Sequence, residues 1–169
     1  MLSGPAKRLV GLFIAVGAVV FAGYAVLIGI AASHSANTNV VRVNAISTVS
    51  AAHSVLLGQL NGLSQQISAC QNSTAQSAAL RCVTKLDQRA AVDIGSFANA
   101  VRSVPVPSSA ATAAAQLTAA AGQLQSAFQR LGSATSAAQY EQIDSGAVSP
   151  KVTQFNAAYV RLGRTLGAG

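Results

Sequence analysis

The run Leu9–Ala32 contains 24 consecutive residues without a charged side chain. As a helix rising 1.5 Å per residue it would extend about 36 Å, enough to cross a hydrocarbon core of about 30 Å. Export signals carry apolar cores of only about 7–15 residues. The run therefore predicts an uncleaved membrane anchor over residues 9–32, although Gly29, Ala31 and Ala32 would also suit a cleavage site. No cysteine lies near its end, which excludes a lipoprotein anchor. Lys7 and Arg8 precede the run, and the next basic residue is Arg42. Positive charge is retained inside. The sequence thus predicts a single-pass plasma-membrane protein with residues 1–8 cytoplasmic and 33–169 extracytoplasmic. Eight residues are too few for an internal signalling or catalytic domain.

Ten of the 24 anchor residues are Gly or Ala. At alternating spacings of four and three, Gly11, Ala15, Ala18, Ala22, Ala25, Gly29 and Ala32 form one seam, whereas Phe13, Val16, Val20, Tyr24 and Leu27 lie off it. In lipid, small side chains let helix backbones approach closely. The seam predicts docking on another transmembrane protein or on a second copy of the chain, with a shallow left-handed crossing. A GC-rich genome scattering alanines, of which the chain has 35, is the alternative source of the pattern.

The only cysteines, Cys70 and Cys82, both fall in the exported part. In an oxidising compartment such a pair predicts a disulfide, worth about 3 kcal/mol by loop closure. Residues 33–42 read as a polar juxtamembrane connector, and 43–169 as a helical domain. Ile46, Val49, His53, Leu56, Leu60, Leu63, Ile67 and Cys70 recur at spacings of three and four, one face of a helix over roughly 40–70. Ser73 and Gln76 make a capping-box pattern for a second helix with the stripe Ala79, Val83, Leu86, Ala90, Ile94, Phe97 and Val101. The prolines of VPVP end it. Ser108 or Ser109 caps a third helix with Ala110, Ala114, Leu117, Ala121, Leu124, Phe128 and Leu131, and Gly132 follows as its stop. A short helical connection leads to Ser149 and Pro150, which open a fourth helix carrying Val152, Phe155, Tyr159, Leu162 and Leu166. The fold class is all-α: one transmembrane helix followed by an extracytoplasmic antiparallel four-helix bundle.

A bundle invites a search for a buried metal or cofactor. Di-metal carboxylate bundles need several glutamates and paired Glu-x-x-His motifs. This chain has one glutamate, Glu141, and its sole methionine is Met1. His53 alone makes no haem site. No cofactor, no metal site and no catalytic residues are expected, and the chain is read as a non-enzyme. His53 on an apolar stripe reads as a core histidine. The sharper option pairs it with Asp93, next to Ile94, in a unit that would charge at mildly acidic pH. Arg81, Lys85 and Arg89, at i, i+4 and i+8, form a basic ridge. The exported part carries nine basic and four acidic residues, a net of +5. That balance suits anionic lipid, acidic wall polymer or an acidic partner. Nucleic acid is not expected, because no aromatic platform is present to stack bases. Asn72-Ser-Thr matches a glycosylation sequon.

An N-terminal anchor, an exported alanine-rich helical region and one cysteine pair together resemble the short single-pass envelope proteins of high-GC actinobacteria. The resemblance implies a cell-envelope setting and assigns no functional residue. The expected function is that of a membrane-anchored interaction protein, an accessory or scaffold subunit of an envelope complex. The alternative is a bundle that holds a lipid or other apolar ligand between alanine-lined helices.

Overall fold

A computed structural model describes residues 36–72 and 75–167. The anchor over 9–32, with its seam from Gly11 to Ala32, lies outside the described residues. Five α-helices and one π-helical turn account for nearly all the rest: α1 (Ala36–Gln71), α2 (Gln76–Ser103), α3 (Ser108–Leu131), α4 (Ala137–Ile143), the π turn (Asp144–Val148) and α5 (Ser149–Gly167). The described residues contain no strand. Residues 36–42, read from the sequence as a connector, are already the first turns of α1.

The four stripes are the core. Val49, Leu56, Leu63, Ile67 and Cys70 on α1 are buried, as are Val83 through Val101 of the α2 stripe, all seven positions on α3 and all five on α5. Ile46, Leu60 and Ala79 are half-buried. Each fully buried Leu, Ile or Phe contributes about 1.5–3 kcal/mol relative to exposure. In the bundle α2 packs on both α1 and α3, α3 packs on α5, and α1 meets α5 only lightly. Cys70 and Cys82 are joined by a disulfide that staples α1 to α2, with Cα atoms 5.5 Å apart.

Helix ends differ from the sequence reading in three places. Helix α2 begins at Gln76 behind Ala75, which makes no side-chain cap, and Ser73 lies outside the described residues. Pro107, not a serine, is the N-cap of α3. Its ring fixes φ near the helical value and its carbonyl accepts from Ala110 N at 2.8 Å, so no hydroxyl is needed. Ser149 caps nothing, because α4, the π turn and α5 follow one another without a break. The entrance to this unit is Ser136, whose hydroxyl accepts from Gln139 N while Gln139 Oε1 accepts from Thr135 N.

The π turn solves a phase problem. Tyr140, Asp144, Val148 and Val152 are all buried and spaced four apart. In an α-helix each step of four overshoots a full turn by about 40°, so three steps would swing Val152 some 120° away from Tyr140. A wider i→i+5 turn removes that overshoot and keeps the four residues on one face.

Among the described residues one helical stretch, Asn39–Cys70 of α1, is long and apolar enough to cross a membrane, with a mean hydropathy of 1.3.

Candidate functional site

On α2, Arg81, Lys85 and Arg89 are exposed along one face, as their spacing predicts. Among the described residues, no side chain pairs with any of the three. Lys85 and Arg89 border a surface groove of about 420 Å³ between α1 and α2, completed by Leu63, Gln88, Val92 and Asp93. Val92 is 64% exposed, the most exposed large apolar side chain among the described residues. Gln88 is fixed at the groove's edge by donating through Nε2 to Gly132 O at 2.9 Å. Asp93 forms no ion pair with Arg89 one turn away, and partial burial raises its carboxyl's pKa. A second groove, of about 540 Å³, runs beside α3 and α5 and is lined by Gln123, Arg130 and Lys151. There the lysine is engaged, donating to Gln123 Oε1 at 2.7 Å and to Gln154 Oε1 at 2.9 Å.

His53 is core, 1% exposed. Its ring stacks on Tyr159 with centroids 3.9 Å apart, while Phe97 and Phe155 stand at 6.1 and 6.4 Å. Phe97 meets Phe155 edge-on at 5.4 Å. This aromatic knot draws α1, α2 and α5 together, and it lies where α1 and α5 touch. Burial lowers the His53 pKa to about 4, and Nδ1 is enclosed without a hydrogen-bond partner. The pair with Asp93, the alternative reading, does not form. Asp93 shares its groove with Leu63, ten residues beyond His53 and therefore about 15 Å further along α1. What surrounds His53 is aromatic, so the neutral imidazole is the form that the site holds.

A second buried polar nest was not expected from the sequence. Asp87 is 0% exposed, Tyr140 2% and Asp144 7%, and they come from α2, α4 and the π turn. Both Asp87 carboxylate oxygens and the Tyr140 hydroxyl are enclosed without hydrogen-bonding geometry to any partner. Burial pushes the Asp87 carboxyl up to about 7, partly offset by the nearby Tyr140 hydroxyl and reinforced by Asp144. The phenol faces the carboxyl closely enough to perturb its titration, yet not at the geometry of a made hydrogen bond. Burial also raises Asp144 to about 6 and the Tyr140 phenol well above its ordinary value. Such proximity of acids is a familiar device for acid–base chemistry. Here the Asp87 carboxyl and the Tyr140 hydroxyl are closed off from solvent, and of the three residues Asp144 keeps the most exposure, 7%.

Asp87 had a signal in the sequence, though a faint one. Thr84, Asp87, Ala91, Gly95 and Ala98 are all buried and form a second stripe beside the first, at spacings of three and four. Its small residues mark a helix covered on two sides, which is the position of α2 between α1 and α3. An aspartate inside that stripe is a buried aspartate.

The described residues hold no cluster of three His, Cys, Asp or Glu side chains suited to a metal ion. No protein-family model, curated protein or solved structure matches the chain.

Proposed function

We propose that the protein is a non-catalytic interaction subunit, held at the plasma membrane by residues 9–32, with its N-terminus cytoplasmic. Its exported part is an antiparallel four-helix bundle that serves as an accessory or scaffold in a cell-envelope complex. One observation carries this reading: of the five groups with perturbed chemistry, His53, Asp87, Tyr140 and Asp144 are buried and only Asp93 lines a surface groove, while the unpaired Arg81, Lys85 and Arg89 and several valines are exposed. Catalysis needs its ionisable groups at the substrate; adhesion needs an adhesive surface.

The span is assigned to residues 9–32 rather than to α1. Asn44, Ser47, Thr48, Ser54, Gln59, Gln65 and Gln66 of α1 are exposed. Facing lipid, those side chains would lose their hydrogen bonds to water at a cost of several kcal/mol. Facing water, they cost nothing.

The test is made in intact cells on the full chain, with an epitope at the C-terminus. External protease should remove the epitope without lysis, and alkaline carbonate should leave the chain in the membrane fraction. A photo-crosslinker on the anchor seam should join it to one protein in constant stoichiometry. An epitope protected from external protease, or a chain that is released by carbonate, overturns the reading.

A further inference from the structure

We propose that the groove between α1 and α2 at Leu63, Lys85, Arg89 and Val92 docks an acidic amphipathic helix of a partner protein. The proposal rests on the reading of the chain as an interaction subunit and names the surface and chemistry of one contact. The groove pairs an apolar floor with cations on one wall: Leu63 is buried beneath it and Val92 stands out of it. Residues 81, 85, 89 and 92 share one face of α2, and the span from Arg81 to Val92 is about 16 Å, three turns. That length matches the anchor positions by which a docked helix is read. The cations are unengaged, in contrast to Lys151 in the other groove, so a carboxylate arriving at Lys85 and Arg89 displaces no internal partner.

The occupant is foreign and acidic. The chain has only four acidic residues, and Asp87 and Asp144 are buried. Asp93 already sits in the groove, which leaves Glu141. Neither a second copy nor residues 1–35, which contain no acidic side chain, supplies the carboxylates. Lipid headgroups are the other anionic source. Leu63 is 27 residues beyond Ala36, about 40 Å along α1 from the end adjoining the anchor. Membrane surface charge is screened within about 8–10 Å. With α1 directed away from the membrane, as this proposal takes it, the groove lies beyond that range.

The test uses the full chain in phosphatidylcholine nanodiscs. The probe is a fluorescent helical peptide of about 18 residues with leucines at i, i+3, i+4 and i+7 flanked by glutamates, read by anisotropy. The expected result is saturable binding that weakens roughly tenfold or more in Lys85→Glu/Arg89→Glu. Replacing the peptide's glutamates by glutamine should weaken it as much. The matched change Arg130→Glu/Lys151→Glu should alter binding less than about twofold. Absence of saturable binding overturns the proposal, and so does equal weakening by the two double variants, which would report net charge alone. Vesicles of phosphatidylglycerol that compete the peptide off both the parent and the Arg130/Lys151 variant would reassign the groove to lipid. Protease accessibility and carbonate extraction in cells fail or succeed independently of the peptide, so the two readings are tested separately.

Discussion

At neutral pH the Asp87 carboxyl stands near the midpoint of its own titration, inside a core where only the nearby Tyr140 hydroxyl favours its charge. Its folded pKa, about 7, lies above the unfolded value near 3.9. The stabilisation it provides is therefore complete below about pH 4 and is lost as pH rises through 7. Asp87→Asn removes the ionisation while keeping the shape. Thermal unfolding of the full chain in detergent should show the variant more stable than the parent by a few kcal/mol at about pH 8, with the difference shrinking toward pH 5. A variant that is less stable at pH 8 would mean that the carboxylate has a partner. His53 runs in the opposite sense. Its pKa is lowered to about 4, so its contribution is complete above the unfolded value near 6.5 and disappears as pH falls to 4. His53→Phe should match the parent at neutral pH and exceed its melting temperature at about pH 4.5. Equal acid sensitivity in both would show that His53 does not titrate in this range. The burial of His53 was legible, because it stands in a stripe of period 3.6. Its environment was not, since Tyr159 lies 106 positions away in the chain and periodicity reports only on which face a residue lies.

Among the elements, the helices were legible and their ends were not. Four stripes of apolar residues specify four long helices, because burial dominates helix stability in a folded chain. Caps are weaker, about 1 kcal/mol each, and yield to context: Pro107 replaces a serine at α3, and α5 needs no cap because the π turn feeds directly into it. The π turn itself is the least legible element, because its only trace is a run of fours at 140, 144, 148 and 152. Close contact between elements gives a further test. A Cβ added at Gly132 would lie 3.0 Å from Thr84 O and 3.1 Å from Gln88 N, both backbone atoms. At Gly95 the only obstruction is the end of the flexible Gln125 side chain. Gly132→Ala should therefore cost about 1–3 kcal/mol in chemical denaturation. Gly95→Ala should cost much less, since Gln125 can swing aside and alanine favours the helix. Equal losses would show that α2 and α3 yield at their end as easily as a side chain does.

For the whole molecule, three buried groups govern the dependence of stability on pH, because the chain has only four acidic residues and two histidines. Between about pH 4 and 6 the folded state keeps two extra protons, on Asp87 and Asp144, and lacks one that the unfolded chain holds on His53. Two against one makes stability fall as pH rises. The melting temperature should rise as pH falls from 8 to about 4 and level off below it, whereas proteins more often peak between about pH 5 and 8. A higher melting temperature at pH 8 than at pH 5 would place a counter-charge beside the Asp87–Asp144 nest. The fold class was readable at this scale and the buried acids were not, because composition counts charges without locating them. Their location has a consequence for crowding. Nine cations and four carboxylates lie beyond the anchor in sequence, but two of those carboxylates are hidden from every neighbour. What one bundle presents to another is therefore nine cations against the two carboxylates of Asp93 and Glu141. Two such bundles brought side by side should repel each other, and the repulsion should weaken as salt is added.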